Sequence, residues 1–472
     1  IFGQAQFHRR NPQSFAEPIR KRPMTLEKES LGILREALDR LEAGFKDLPA
    51  REIHVDMPGM RTVMMEVAER MHDNYPYHHP LYAGQMLKPP VSIARLAYML
   101  AMWINPNNHA LDGGRASSAM EKEAVAGIAK MFGWETHLGH LCGGGTIANM
   151  EALWISGSLH PGKKIAASEQ AHYTHSRLSG VLQLPFRSIP CDSRARMDVN
   201  ALEDVLKREE VGTVIATMGT TAAGSVDPLP DILSLKEKYH FRLHADAAYG
   251  GYFVLAGNLD EETRLAFDRI GEADSIVVDP HKHGLQPYGC GCVLFKDPSV
   301  GKFYKHDSPY TYFSSKDLHL GEIPLECSRA GASAVALWAT MRMFPLVRGG
   351  KFARGLEDGR KAALALFKKI RSDTRFFTAF LPELDIIIWA PRGGKAGEIS
   401  DRTKRIFEAA AGRNLHLAVA AFPKTMLEKT WDIAWDREQV ACLRSCLMKS
   451  EHLGWVERIW DVLDHVMQEK EQ

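Results

Sequence analysis

The 472-residue chain is long enough for about two or three structural units, and its 59 basic and 58 acidic residues leave a formal net charge of +1. This even balance carries no electrostatic signature of nucleic-acid binding. The longest apolar run, residues 91–104, contains Arg95 and is too short and too polar to span a bilayer. Seven cysteines without a regular framework favour a reducing compartment, and the chain shows no secretory pattern, so we expect a soluble, cytoplasmic protein.

The N-terminal part is predicted to consist of an arm followed by helices. Residues 1–23 are polar and rich in proline and basic residues, which favours an extended arm. Apolar residues recur at helical spacing over residues 26–48, and a second helix is predicted over residues 60–71.

An aromatic and proline-rich stretch follows at residues 75–85, with His72, His78 and His79 close together. Three histidines could bind a metal, but no acidic or cysteine partner stands at ligand spacing. We therefore predict a loop here and no metal site. Residues 115–132 have a helical pattern.

Three glycines, Gly143 to Gly145, precede Thr146 and a helix predicted over residues 147–156. Glycines let the backbone approach an anion closely, and the unpaired N–H groups of a helix N-terminus attract negative charge. The spacing Gly143-x-Gly145-x-x-Ala148 also fits a dinucleotide fingerprint. We disfavour that alternative, since no clear apolar strand precedes the glycines and the motifs downstream suit another cofactor.

Strands are predicted to alternate with helices through the middle of the chain. They cover residues 164–168, 211–217, 241–245, 275–279 and 290–295. This alternation is typical of a parallel sheet with right-handed crossovers. Ligands of such sheets bind at the carboxyl ends of the strands, where the polar motifs of this chain fall.

Two of those motifs carry specific chemistry: His244-Ala245-Asp246-Ala247-Ala248-Tyr249-Gly250-Gly251 and Asp279-Pro280-His281-Lys282. A lysine amine is a nucleophile only when its proton is easily lost, which burial and neighbouring cations favour. An amine that can form a Schiff base and a carboxylate that can pair with a pyridinium nitrogen are what pyridoxal phosphate chemistry requires. Lys282 and Asp246 are therefore predicted catalytic residues, with pyridoxal 5'-phosphate as cofactor.

The motifs H-A-D-A-A-Y-G-G and D-P-H-K resemble those of the group II pyridoxal-phosphate-dependent decarboxylases. That family includes aromatic amino acid, glutamate, histidine and tyrosine decarboxylases, and sphingosine phosphate lyase is a relative. The resemblance implies the α/β fold of aspartate aminotransferase, with a large cofactor-binding domain at residues 75–344, built on a mostly parallel sheet, and a small C-terminal α/β domain at residues 345–472. It also implies a homodimer with active sites at the subunit interface, and dimerisation through residues 1–74.

The resemblance further implies roles around the cofactor. His172, in an Ala-His pair, would stack on the cofactor ring, Ala248 would pack on the other face, and Thr221 would stand beside the ring. The phosphate would be bound by Gly144, Gly145, Thr146 and His281.

Substrate-facing residues are also implied by the resemblance. Tyr310, within Asp307-Ser308-Pro309-Tyr310, would donate a proton from a lid, with Tyr312 as the second choice. Tyr82 and Gln85 are candidates for the wall of the substrate pocket, or equally for a structural loop. Arg329 could hold a substrate carboxylate or equally serve in an interface ion pair.

The C-terminal part is predicted to start with a long amphipathic helix over residues 350–370. Strands are predicted at residues 384–389, 415–420 and 430–435, and helices at 436–448 and 452–466.

The predicted activity is decarboxylation of an L-amino acid to its amine. Aromatic and neutral residues near 75–103 and 303–313 favour an aromatic or other uncharged substrate. Two alternatives use the same lysine and aspartate: a carbon–carbon lyase of the sphingosine phosphate lyase type, and an oxygen-using aldehyde synthase. Lys282 and Asp246 together argue against a scaffold without catalysis.

Overall fold

The computed structural model describes residues 28–109, 113–305 and 324–471. Its first part consists of α1 (Lys28–Ala43), α2 (Met57–Arg70), α3 (Ser92–Met102), α4 (Arg115–Met131), β1 (Leu138–Cys142), α5 (Gly145–Leu159), β2 (Lys164–Ser168), α6 (Thr174–Val181), β3 (Phe186–Ile189), α7 (Val199–Leu206), β4 (Val211–Thr217), α8 (Leu229–Tyr239), β5 (Arg242–Asp246), α9 (Glu261–Asp268), β6 (Ser275–Val278) and β7 (Gly291–Phe295). Its second part consists of α10 (Gly331–Met343), α11 (Lys351–Ser372), β8 (Phe376–Thr378), β9 (Ile386–Pro391), α12 (Ala396–Gly412), β10 (Ala418–Pro423), α13 (Lys424–Leu427), β11 (Gln439–Cys446) and α14 (Val456–Glu471).

The larger sheet has seven strands in the order β1-β7-β6-β5-β4-β2-β3. The strands from β6 to β3 in this order run parallel, whereas β7 is antiparallel to both of its neighbours, β6 and β1. Helices cover the sheet, so its central strands are buried on both faces, as their continuous apolar sequences require. The predicted α/β fold with a mostly parallel sheet is confirmed.

The main hydrophobic core forms around this sheet. Val214, Leu243 and Ile276 on three adjacent strands are fully buried and belong to one cluster. Burying a side chain of this size contributes about 1.5–3 kcal/mol. The packed layer fixes the carboxyl ends of the strands relative to one another, and with them the residues that follow each strand.

The smaller sheet is antiparallel, with the order β10-β11-β9-β8. Two predictions for this region were wrong: residues 436–448 contain strand β11 rather than a helix, and residues 430–435 contain no strand. β11 lies between two other strands and is buried over most of its length. Its sequence therefore lacks the alternation of apolar and polar residues that marks a half-buried strand.

Residues 81–85 lie against the smaller sheet. Tyr82 forms a parallel bridge with His416, and the backbone N–H of Cys446 donates to the carbonyl oxygen of Ala83 at 2.7 Å. The predicted domain limits, residues 75–344 and 345–472, stay predictions. None of the helices in the described ranges is long and apolar enough to cross a membrane.

Candidate active site

A cavity of about 330 Å³ lies at the carboxyl ends of four parallel strands, β2, β4, β5 and β6. The glycine turn at the start of α5 and Tyr288 also line it. All nine residues predicted to contact the cofactor line this cavity: Gly144, Gly145, Thr146, His172, Thr221, Asp246, Ala248, His281 and Lys282. Residues up to 138 positions apart in the chain are thus brought together, as the strand-end rule for α/β folds predicts.

Asp246 ends β5 and is held by two hydrogen bonds. His175 Nε2 donates to its Oδ2 at 2.7 Å, and the backbone N–H of Ala248 donates to its Oδ1 at 3.1 Å. Both side chains of the Asp246–His175 pair are buried. Burial alone would raise the pKa of Asp246, but the hydrogen bond from His175 and the nearby His244 and Lys282 outweigh it and hold that pKa below its usual range. Asp246 is therefore charged at neutral pH.

Lys282 follows β6, and its side chain is 20% exposed to the cavity. Its Nζ lies 3.0 Å from Oδ2 of Asp279, a residue that is itself buried. Neighbouring His281 donates from Nδ1 to the carbonyl oxygen of Cys290 at 2.8 Å, and its ring packs on Tyr288 with centroids 4.7 Å apart. Burial lowers the pKa of His281, so its ring is neutral at pH 7.

The glycine turn forms a cradle in which side chains would not fit. Gly144 has φ = +152°, a conformation that favours glycine, and a Cβ there would lie 3.2 Å from the His281 ring. A Cβ on Gly145 would lie 2.7 Å from Asp279 Oδ2. Gly144 is the N-cap of α5 and has no side chain to bind the first N–H groups of the helix. These groups therefore face the cavity as an anion site, which fits the phosphate of the predicted cofactor.

His172 follows β2, is half-buried and lines the cavity. Its Nδ1 accepts a hydrogen bond from the backbone N–H of Thr174 at 3.2 Å. Burial lowers the pKa of His172. A neutral ring with a fixed orientation suits the predicted stacking role, which stays a prediction.

Three predicted substrate residues do not line this cavity. Tyr82 is buried against the small sheet, and Gln85 accepts a hydrogen bond from Arg444 at 3.3 Å. Arg329 donates to Glu121 Oε1 at 2.7 Å and to the carbonyl oxygen of Leu141 at 2.6 Å. The structure therefore places Arg329 in a buried intramolecular ion pair, and its binding of a substrate carboxylate stays untested.

Tyr310 and Tyr312, the candidate proton donors, lie outside the described residues. Across the described ranges, no group of three or more histidine, cysteine, aspartate or glutamate residues is arranged to hold a metal ion.

Sequence reasoning missed two parts of the site. His175 stands three residues after His172, but nothing local reveals that it contacts Asp246, which is 71 positions away. The strand β1, which ends just before the glycine turn, was also missed. The absence of such a strand was one reason for disfavouring a dinucleotide site, and that reason was wrong.

Comparison with known sequences places the site in a family. Residues 151–389, just over half of the chain, match the pyridoxal-dependent decarboxylase conserved domain. L-tyrosine decarboxylase of Enterococcus faecium is 30% identical, over 61% of this chain and 64% of that protein. A probable L-tyrosine/L-aspartate decarboxylase of Methanothermobacter thermautotrophicus is 27% identical, over 62% of this chain and 78% of that protein. The chain spans less than two thirds of the length of the bacterial tyrosine decarboxylases that it matches.

Comparison with solved structures supports the fold. The crystal structure of Oryza sativa TDC with PLP and tryptamine matches with a TM-score of 0.75 and 17% identity, covering 95% of this chain and all of that one. Mouse CSAD in apo form matches with a TM-score of 0.73 and 17% identity, covering 93% and 99% of the two chains. At these identities the likeness concerns the fold alone.

Proposed function

We propose, since this chain belongs to the family of pyridoxal-dependent decarboxylases, that it converts a free L-amino acid to its amine with pyridoxal phosphate as cofactor. The observation that carries the proposal is the single cavity in which Lys282, Asp246, His172 and the uncapped N-terminus of α5 meet. An amine, a charged carboxylate, a neutral ring and an anion site are the four features that this cofactor needs.

The residues of the cavity have separate tasks in this proposal. Bound pyridoxal phosphate would supply an aldehyde for attachment of amines and a ring that accepts electrons. Lys282 would hold the aldehyde carbon until the substrate amine displaces it, and Asp279 at 3.0 Å orients the lysine beforehand. Asp246 would keep a proton on the ring nitrogen, because its own pKa is held low and it remains an anion. The first N–H groups of α5 would bind the phosphate.

Loss of carbon dioxide leaves the substrate's α-carbon in need of a proton. We assign that proton to Tyr310, with Tyr312 and Lys282 as the alternatives. His172 lies on the cavity wall, where its ring would cover the cofactor and exclude water.

We favour an aromatic or other uncharged amino acid as substrate. Tyr288 contributes an aromatic surface to the cavity. Outside the cavity, Tyr75, Tyr77 and Tyr82 form an aromatic cluster with ring centroids 4.9–6.3 Å apart. The tyrosine decarboxylases among the relatives support the same choice.

We further propose a homodimer that uses the N-terminal helices. α2 contains no buried residue, and its Met60, Val63, Met64 and Val67 recur at helical spacing with about half of each side chain exposed. Apolar stripes of this size on a surface helix mark contacts between proteins. The family resemblance implies that a second copy of the chain covers this face of α2.

A cytoplasmic location is proposed from the cysteines. All seven lie in the described ranges and are free thiols. Free thiols persist in reducing compartments.

The test of the proposed function is product analysis on the purified protein loaded with pyridoxal phosphate. Borohydride reduction followed by peptide mapping should place the pyridoxyl group on Lys282. Release of carbon dioxide and formation of amine should then be measured across aromatic, aliphatic and acidic amino acids and a phosphorylated amino alcohol. Amine from an aromatic substrate supports the proposal, whereas aldehyde as the main product, cleavage of only the phosphorylated compound, or a label on another lysine contradicts it.

A further inference from the structure

The glycine turn, Gly143 to Gly145, lines the cavity and leads into α5. Glycine loses more backbone freedom on folding than any other residue, so a turn of three glycines has to be held in place by neighbouring groups. An anion site also depends on N–H groups that already point in fixed directions before the ligand arrives. The groups that hold the turn therefore determine how well it can bind a phosphate.

Within the described ranges, a single side chain accepts a hydrogen bond from an N–H group of this turn. Glu326, 183 positions further along the chain, accepts from the N–H of Gly143 through its Oε2 at 2.8 Å. A Cβ built on Gly143 would lie 2.6 Å from Oε1 of the same carboxylate. Both oxygens of the half-buried Glu326 thus lie at the first residue of the turn.

The segment that carries Glu326 is itself fixed to the end of β1. Arg329 donates to the carbonyl oxygen of Leu141 at 2.6 Å and to Glu121 Oε1 at 2.7 Å. Glu121 in turn accepts from the N–H of Leu141 at 3.0 Å. The side chains of Arg329 and Glu121 are only 7% and 1% exposed. Residues 326–329 are therefore bonded both to β1 and to the glycine turn that follows it.

The backbone between these two contacts is strained. Cys327, next to Glu326, has φ = +58°, a left-handed conformation that residues other than glycine rarely adopt. Such a conformation persists only where the surrounding structure imposes it. Asn107 holds the following residue, since its Nδ2 donates to Ser328 Oγ at 3.1 Å. The direction in which Glu326 points is thus specified by the contacts on either side of Cys327.

We propose that Glu326 is a positioning residue of the cofactor site. It fixes the peptide N–H of Gly143, and through the glycine turn it fixes the direction of the N–H groups at the start of α5 that are assigned to the phosphate. The position of its oxygen matters rather than its charge, because a negative charge there would by itself oppose the binding of an anion. This role rests on the proposed function, because it requires pyridoxal phosphate to be the ligand of the cavity.

Two variants separate the reach of the side chain from its charge. Glu326→Gln keeps an oxygen at the same distance from the backbone and removes the charge. Glu326→Asp keeps the charge but withdraws the carboxylate by one methylene group, so that it no longer reaches the N–H of Gly143. Each variant is the matched control of the other, and circular dichroism checks that both are folded.

The ligands are pyridoxamine 5'-phosphate and pyridoxamine, which differ only by the phosphate group and form no covalent bond to Lys282. Calorimetric titration of the cofactor-free proteins at pH 7 gives the ratio of the two dissociation constants, which measures the contribution of the phosphate. In Glu326→Asp this ratio should fall about tenfold from the wild-type value, while the affinity for pyridoxamine changes by less than about twofold. In Glu326→Gln the ratio should stay within about threefold of wild type.

A ratio that falls in Glu326→Gln but not in Glu326→Asp would show that the charge matters and would overturn the inference. An unchanged ratio in both variants would overturn it too, as would an equal loss of affinity for both ligands in Glu326→Asp, which indicates a general structural role. If Glu326→Asp does not fold, Glu326→Ala takes its place with the same expected ratio.

The labelling of Lys282 separates this inference from the proposed function. If borohydride reduction with pyridoxal phosphate left no label on Lys282, the proposed function would fail and this inference with it. A label on Lys282 together with wild-type ratios in the variants would overturn the role of Glu326 alone.

Discussion

Replacing His175 tests the hydrogen bond that holds the predicted pyridinium partner. His175 Nε2 lies 2.7 Å from Asp246 Oδ2, and both residues are buried. In His175→Leu the carboxylate keeps only the bond from the Ala248 N–H at 3.1 Å. A hydrogen bond to a charged group contributes about 1.5–3 kcal/mol, so the free energy of unfolding should fall by about 2–3 kcal/mol at pH 7.

His175→Gln is the matched control, because its side-chain amide keeps an N–H donor for Asp246. We expect it to lose about 1 kcal/mol or less. Urea unfolding of the cofactor-free proteins, followed by circular dichroism, measures both variants against wild type.

The pH dependence gives a second check. The pKa of Asp246 in the folded protein lies below its usual range, despite burial, because of His175, His244 and Lys282. The stabilisation it contributes is therefore complete above its unfolded pKa of about 3.9 and is lost as pH falls through the folded value. The difference in the free energy of unfolding between His175→Leu and His175→Gln should therefore become smaller below about pH 4. Equal unfolding midpoints of the two variants at pH 7 would refute the reasoning.

Three further predictions concern chemistry and assembly. Asp246→Asn should retain cofactor but lose most turnover, since a neutral amide cannot keep the ring nitrogen protonated; near-wild-type decarboxylation would contradict this. Val67→Lys on the apolar face of α2 should yield monomers in sedimentation, whereas Glu69→Lys on its opposite face should not; a dimer in both would place the interface elsewhere. Tyr310→Phe should lower amine formation by about 100- to 10,000-fold while carbon dioxide release continues and aldehyde appears. If Tyr312→Phe, rather than Tyr310→Phe, changed the product from amine to aldehyde, the proton donor would be Tyr312.

The sequence by itself determined which residues were predicted to carry the chemistry of the site. Lys282 and His172 follow short strands and Asp246 ends one, and parallel strands place their carboxyl ends at one edge of a sheet. Their convergence in one cavity could therefore be predicted without knowing the strand order. Local pattern was sufficient because each residue depended on its own strand and on a general rule of the fold.

Only the tertiary structure decided which side chains touch. The contacts of Asp246 with His175 and of Asp279 with the start of α5 join segments from different strands, so they depend on strand order and on side-chain direction. The conformation of residues 439–446 also depends on the tertiary structure. Burial of both faces of β11 removes the polar–apolar alternation that would identify a strand locally. Its pairing with β9 and β10 fixes its conformation.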